Sequence, residues 1–546
     1  MFKNKKVTIS LDFQKTDLLI IILVLLEMVL KIAVPDTSYD VAMYHIYQQE
    51  FPFIDKINFD FFPGRTLNSY LFPLGDRIFY LSRYLLGFRL GTILSYYCII
   101  ILFYQIKELT NNILENKNNK VVSLLSSLIF FEYTIYYFTG IYYIDLFSAV
   151  FIMELICLIF QKEEINKSKL YFIFLIMGIS IGIKVPNLLA VIPIFIYFVF
   201  KNRKKLFLNL KIKDIFICII LFFIPYFVYV IFNILQTGSP IYPYYNSFFK
   251  SKWFDNINWK DTRWGAPNIF YALIWSVMPA VDPSKTSDEG LWDVSWGIGY
   301  IILLVYLLVL FIRVIVNKNK KNIKNMDIVL LTFVLSIDWA MFLYGYMRYA
   351  LFLPALHLVI FEIVVLDEIS KIKNVISIVS FSTIIDVSII LTISTVLHSL
   401  VNNIYYFHKN SGYYYNEAQE FFKDKNFEKI HIDGAWVTLS DDSKLVTLVR
   451  EEDTPIYYLE SRFLLGNNAK KKQQELKQKN LYTIIDDSNR LKKIDELDNE
   501  NLEIDEIIYD NLQFKFLPSW NKAIVCKLKY NSNNEEVVNN NSEYRY

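Results

Sequence analysis

The stretch DLLIIILVLLEMVLKIAVPD at residues 17–36 decides the architecture. A helix needs about 20 predominantly apolar residues to cross a hydrocarbon core of about 30 Å, and this run is of that kind. Its apolar part outlasts the core of a cleavable signal peptide and no small-residue cleavage site follows, so it reads as a membrane span. Working outward, eleven such stretches lie near 17–35, 87–106, 121–138, 146–161, 170–183, 187–200, 214–235, 296–316, 328–345, 349–366 and 374–398. The short pair around Lys184 also reads as a re-entrant hairpin. Composition agrees: the 546 residues are 54% hydrophobic, 17% aromatic and 20% charged, with a mean hydropathy of +0.30. An average globular chain carries about 25% charged residues. With 16 Gly, 15 Pro and 4 Cys, disorder, collagen and disulfide scaffolds are excluded. A net charge of +2 leaves no concentrated basic footprint for nucleic acid.

Lysine and arginine placement orients the chain. With the N-terminus in the cytoplasm, six inner segments carry 23 Lys and Arg, whereas the three short outer loops carry only Lys184 and Arg348. The long loops 36–86 and 236–295 then face out, as does the tail. From about residue 402 the chain turns charged and alternating. IHIDG (430–434), TPIYYLE (454–460), LYTIIDD (481–487), DEIIYD (505–510) and KAIVCKL (522–528) read as strands, with a polar helix at 467–479. The expected organisation is a transmembrane module at 1–401, an extracytoplasmic α/β domain at 402–530 and an Asn-rich, frayed end at 531–546. No period of 20–50 residues repeats, which excludes a solenoid.

The odd polar residues gather on the outer side. DVAMYH places Asp40 and Tyr44 four apart, hence on one helical face, with His45 next. Asp36 is the rival carboxylate, and a solvated loop acid is the plainer reading. Arg77 and Arg83, among the aromatics of 69–87, read as lipid-headgroup anchors. Asp145 in TGIYYIDLF (139–147) opens a span, where a carboxylate also serves as cap and dipole partner. Lys184 in GIKVPN (182–187) and Arg348 in GYMRYALFLP (345–354) stand where positive charge is depleted; each calls for an anion, or else snorkels. Arg263, in WKDTRWG (259–265), sits between tryptophans and suits either a phosphate or a surface cation–aromatic contact. Glu132, Glu154, Asp338 and Asp386 fall within apolar runs and should face the bundle interior. No His-x-x-x-His or Cys-x-x-Cys pair suggests zinc.

Taken in order, these motifs resemble the GT-C membrane glycosyltransferases, among them the protein O-mannosyltransferases and aminoarabinose transferases. The resemblance rests on Asp40-x-x-x-Tyr44-His45, Asp145, Gly182-x-Lys184, the loop Thr237-Gly-x-Pro-x-x-Pro-x-x-Asn246, Arg263-Trp-Gly265 and Arg348-Tyr349, over roughly 17–400. The loop departs from the pattern in reading GSPIYP, without Asn after Gly238. The resemblance implies an inverting transfer of sugar from a polyprenyl-phosphate-linked donor to a glycan, glycolipid or protein acceptor outside a bacterial inner or plasma membrane. Such a reaction serves surface polysaccharide or glycolipid assembly. It implies Asp40 as the catalytic carboxylate, with Asp145 orienting the acceptor, assisting Asp40 or joining it on a divalent metal. It also implies Tyr44 and His45 along the cleft, and Lys184, Arg263 and Arg348 around the donor phosphate. It requires no cofactor and leaves metal use open. The tail is expected to dock the acceptor. Three competing readings are an oligosaccharide polymerase or ligase, told apart by a ladder of products, a transporter or flippase, which usually shows internal repeats, and a non-catalytic scaffold with an outer α/β domain, for which Arg348→Ala and Lys184→Ala would be silent.

Overall fold

The computed structural model describes residues 40–62, 70–114, 119–162, 165–209, 211–258, 263–288, 290–316, 325–368, 429–439, 446–459 apart from 448, 465–486, 490–512 and 523–531, with eight residues between 17 and 29. The expected span at 374–398, Asp36, Asp386 and the boundary near 402 lie outside them.

The apolar runs fold as helices. The longer ones are α1 (Leu74–Leu90), α2 (Ile93–Leu114), α3 (Asp145–Phe160), α4 (Lys167–Ile183), α5 (Asn187–Asn209), α6 (Ile212–Phe223), α7 (Phe227–Thr237), α8 (Val294–Val316), α9 (Met326–Phe342) and α10 (Phe352–Ile363). Among the described residues two of them, α2 and α8, are long and apolar enough to cross a membrane, or three spans if α6 and α7 count as one. By this measure the described residues show fewer than the eleven spans expected; the stretch at 374–398 and most of 17–35 lie outside them. Several apolar runs are cut short by local chemistry. α3 has 16 residues, and α4 and α9 have 17 each, or about 24–26 Å at 1.5 Å per residue. α5 has 23 residues but ends in the basic run from Lys201. Pro225 lacks an N–H and stands at the 61° bend between α6 and α7. The run at 121–138 breaks at Glu132, whose extended backbone ends one helical turn and caps the next.

α2 packs on α3, α4 on α6, and α8 on α10. At Gly178 a Cβ would stand 2.2 Å from the Phe222 carbonyl, so the close approach of α4 to α6 requires glycine there. Phe216, Phe227 and Leu235 of α6 and α7, and Ile301, Leu308 and Phe311 of α8, are exposed. An apolar exterior on this scale marks a surface that meets something other than water.

The C-terminal residues form a mixed sheet ordered β2-β1-β3-β5-β4. Its strands are β1 (Ala435–Thr438), β2 (Ile456–Tyr458), β3 (Leu481–Asp486), β4 (Leu502–Leu512) and β5 (Ala523–Tyr530), with helices α11 (Asn467–Lys477) and α12 (Arg490–Asn499). β1 runs parallel to both neighbours, whereas β3–β5 and β5–β4 are antiparallel. The strand expected at 430–434 is instead β1. All four of its residues are buried, so a continuous apolar run, rather than the alternation in IHIDG, is the signature of this central strand.

The sheet shares its core with the long loops. Phe61 pairs with Tyr457 as an added strand residue, and Phe254 pairs with Leu465. Phe61 packs among the sheet's apolar side chains, as do Tyr47 and Phe62 on its other face. These contacts place the described parts of both loops and the tail on one side of the helices.

Candidate active site

Asp40 stands at the start of a π-helical turn, Val41–His45, that continues into a short helix, Ile46–Glu50. The spacing that puts Asp40 and Tyr44 on one face lets Tyr44 Oη donate to Asp40 Oδ2 at 3.2 Å. The same oxygen forms an ion pair with the guanidinium of Arg348, from the 3-10 turn Met347–Ala350 between α9 and α10. His45 is buried, and its Nδ1 lies 2.7 Å from Oδ1 of Asp76 in the first turn of α1.

A second ion pair joins Asp145, the first residue of α3, to Lys184, which follows the last residue of α4. Both side chains are buried. Ile144 holds the cap position of α3, and the Asp145 carboxylate faces Lys184. Tyr349 links the two pairs: Lys184 Nζ stands 3.9 Å from its ring centroid, and Arg348 Cζ stands 5.8 Å from it. Tyr143 and Tyr346 lie 4.9 and 5.2 Å from the same guanidinium carbon. The result is two carboxylates and two cations held among tyrosines, with no net charge.

Each charge tunes the others. Burial pushes Asp40 up, but Arg348, His45 and the hydrogen bonds from Arg348 and Tyr44 outweigh it, leaving the carboxyl below its ordinary range. Burial drags Lys184 down to about 8 while Asp145 opposes the fall and Arg348 adds to it. Asp76 is raised by burial despite His45.

Arg263 stands apart from this cluster, at the rim. It is exposed and pairs with Asp288 at 3.0 Å. Asp288 in turn accepts from Tyr346 Oη at 3.2 Å, and Trp264 stacks on Tyr346 with ring centroids 4.2 Å apart. Gly265 makes this contact available. Its φ is +92°, and a Cβ there would stand 3.0 Å from the Tyr344 carbonyl. The Arg-Trp-Gly segment can therefore press against the turn that delivers Arg348 only through glycine.

The structure thus brings Asp40, Tyr44, His45, Asp145, Lys184 and Arg348 together and connects Arg263 through Asp288. Lys184 and Arg348 do not snorkel: each is buried on a carboxylate. Arg77 and Arg83 are not headgroup anchors either. Arg83 is buried against Gln49 and Glu50, and Arg77 donates to the Gln49 carbonyl and stacks on Tyr80. Both arginines clamp the helix that follows Asp40. Sequence reading missed Asp76, Tyr143, Asp288 and Tyr346, and gave Tyr349 no role beyond its place in the Arg-Tyr motif. The tyrosines that flank Arg348 and precede Asp145 were visible as YMRY and YYID, whereas Asp76 and Asp288 gave no local signal. Two of the described acids within apolar runs find other uses: Glu132 caps a helical turn at Ile135 N, and Glu154 accepts from Gln105 at 3.0 Å, whereas Asp338 Oδ2 is buried without a hydrogen-bond partner among the described residues.

No family model matches the chain, and no curated protein matches it. Among solved structures it is similar to ArnT from Cupriavidus metallidurans. The apo form superposes with a TM-score of 0.51 at 9% identity, covering 93% of this chain and 97% of that one. The form bound to undecaprenyl phosphate gives 0.50 at 10% identity over the same shares. The fold is GT-C-like. Within it, six of the seven site residues expected from sequence come from turns at helix ends, while the helices supply the frame.

Among the described residues no three His, Cys, Asp or Glu side chains gather to hold a metal ion. Asp40 and Asp145 each face a cation of the protein, an arrangement that suits charge exchange with an anionic ligand better than capture of a divalent ion.

Proposed function

We propose that the chain is an inverting membrane glycosyltransferase. It moves a sugar from a polyprenyl-phosphate-linked donor to an acceptor at the extracytoplasmic face of a bacterial membrane, in surface polysaccharide or glycolipid assembly. The observation that carries this reading is the neutral, alternating cluster Asp40–Arg348 and Asp145–Lys184 within a GT-C-like fold. The similar ArnT structure bound to undecaprenyl phosphate supports a lipid phosphate as the ligand.

The chemistry follows from the pairs. An arriving donor phosphate competes with Asp40 for Arg348 and with Asp145 for Lys184. As Arg348 turns to the phosphate, Asp40 loses the cation that holds it acidic and becomes a better base. The acceptor hydroxyl gives its proton to Asp40 while its oxygen bonds to C1 from the face opposite the phosphate. The C1–O bond to phosphate breaks, and its electron pair leaves with the lipid phosphate, held by Arg348 and Lys184. Such fixed charges act most strongly where water is excluded. Asp145 holds Lys184 in place, Tyr44 and His45 line the cleft beside Asp40, and Arg263 lies at its mouth. Arg348→Ala and Lys184→Ala should both weaken donor binding.

The test is Asp40→Asn, purified in lipid nanodiscs and given a panel of radiolabelled sugars linked to undecaprenyl phosphate with host membranes as acceptor. Base catalysis is typically worth about 10²–10⁴, so turnover should fall by that factor while undecaprenyl phosphate still binds. Wild-type turnover by Asp40→Asn would sink the assignment of the base.

A further inference from the structure

A chain of buried contacts joins the C-terminal sheet to the turn that carries Asp40. Asp40, Tyr44 and Tyr47 follow the i, i+4, i+7 spacing of one helical face. Tyr47 Oη donates to Asp60 Oδ2 at 2.7 Å. Asp60 also accepts from Arg450 Nη1, at 2.8 Å on one oxygen and 2.9 Å on the other, and from Ile456 N at 2.8 Å. Asp60 and Arg450 are both 0% exposed, and Tyr47 is 1% exposed. The Arg450 guanidinium stacks 3.7 Å from the ring centroid of Phe51, the residue that ends the helix. Arg77 and Arg83 of α1 hold Gln49 and Glu50. The segment behind Asp40 is therefore gripped both by α1 and by the tail.

We propose that Arg450 is a positioning residue: through Asp60 and Tyr47 it fixes the rotation of the turn that presents Asp40 and Tyr44, so the C-terminal sheet serves the transfer step itself. Asp60 accepts from a guanidinium nitrogen, a phenol O–H and a backbone N–H at once, so its buried carboxylate is met only while Tyr47 stays where it is; Nε and Nη2 of Arg450 are buried without a hydrogen-bond partner among the described residues. Rotation of the helix about its axis would break the Tyr47 bond and leave Asp60 short of a donor in a place water does not reach. Lys472 adds a second tie, donating to the Ile57 carbonyl beside the same loop. The inference rests on the role of Asp40 given above and departs from the view of the tail as an acceptor platform alone.

The experiment uses the full chain in nanodiscs. Tyr47→Phe keeps the ring and removes only the hydroxyl, so folding should survive; Arg450→Lys keeps the charge and loses the planar group that stacks on Phe51. Three quantities are read: hydrogen–deuterium exchange over residues 40–50, the Kd for undecaprenyl phosphate, and turnover of undecaprenyl-phosphate-linked sugar. Loss of one buried hydrogen bond to a charged group predicts exchange about tenfold faster and turnover about tenfold lower in Tyr47→Phe, with the Kd within about twofold of wild type. Adding Tyr47→Phe to Arg450→Lys should cost less than the product of the single effects. Unchanged exchange in Tyr47→Phe overturns the anchor whatever the turnover does. A Kd that worsens in step with turnover also overturns it, because a general loosening would do that. If exchange responds as stated but Asp40→Asn keeps full turnover, the functional reading fails and the claim that the tail serves transfer fails with it.

Discussion

Replacing Arg348 by glutamine separates its two roles. The side chain is 8% exposed and sits on Asp40, so water cannot simply take its place. Removing one partner of a buried pair typically costs about 3–5 kcal/mol, and each 1.36 kcal/mol is tenfold in rate. If the same energy is lost from the transition state, kcat/KM for the lipid-linked donor should fall by about 10²–10⁴. A second consequence has a definite sign. In the wild type Arg348 and the groups beside it overcome burial and keep Asp40 below the ordinary carboxylate range. Asp40 is therefore ionised throughout the usual assay window, and activity should not fall until the medium is strongly acidic. In Arg348→Gln, burial is opposed only by His45 and Tyr44, so Asp40 holds its proton more tightly. The acid limb of the kcat/KM profile must move to higher pH. Arg348→Lys keeps a charge without the planar fork and should show a smaller rate loss with the limb nearer wild type. The assay is donor turnover between about pH 4.5 and pH 8, fitted for the limb. A large rate loss with the acid limb unmoved would show that Arg348 serves phosphate alone. It would refute the claim that this ion pair sets the basicity of Asp40.

Two further outcomes follow from the same geometry. Lys184 is held down to about 8 by burial, so it is cationic below that pH and neutral above it. Affinity for undecaprenyl phosphate should fall as pH rises through about 8, and Lys184→Arg, charged throughout, should flatten the titration; affinity independent of pH in the wild type would contradict the assignment. Gly265→Ala forces a side chain onto a residue with φ +92° and against the Tyr344 carbonyl. The strain, about 1–3 kcal/mol, should loosen the Trp264–Tyr346 stack and lower both turnover and the thermal midpoint. A variant matching wild type in both would show that the stack does not support Arg348.

The legible parts of this chain were those set by local chemistry. Apolar runs announced helices, and the tail announced short strands and a helix because its segments are rich in β-branched and aromatic residues; the mixed order of its sheet was not legible. Lysine and arginine avoid certain short loops, and those loops supplied Lys184 and Arg348. Span number was not legible. A run such as 121–138 has the composition of a span, but its breaks depend on Glu132 finding a backbone N–H to cap. The partners of the charges were hidden as well. Nothing near Lys184 in sequence indicates that Asp145 neutralises it from 39 positions away. Arg83 looks like any interfacial arginine until the helix after Asp40 packs beside it.

That concealment has a physical basis. Isolated cations at outer loop ends look like waiting phosphate ligands, yet a buried charge without a partner would be costly in the ligand-free protein. This chain meets the cost by giving Arg348 and Lys184 a carboxylate each, so that the site is neutral before the donor arrives. On the function proposed above, the arrangement would make donor binding an exchange of partners, with the acids that release the cations left beside the reacting carbon. On this view Asp40 need not have the raised pKa usually looked for in a general base. Its low basicity belongs to the resting state, and the donor phosphate, by drawing Arg348 away, makes the base competent when there is something to transfer.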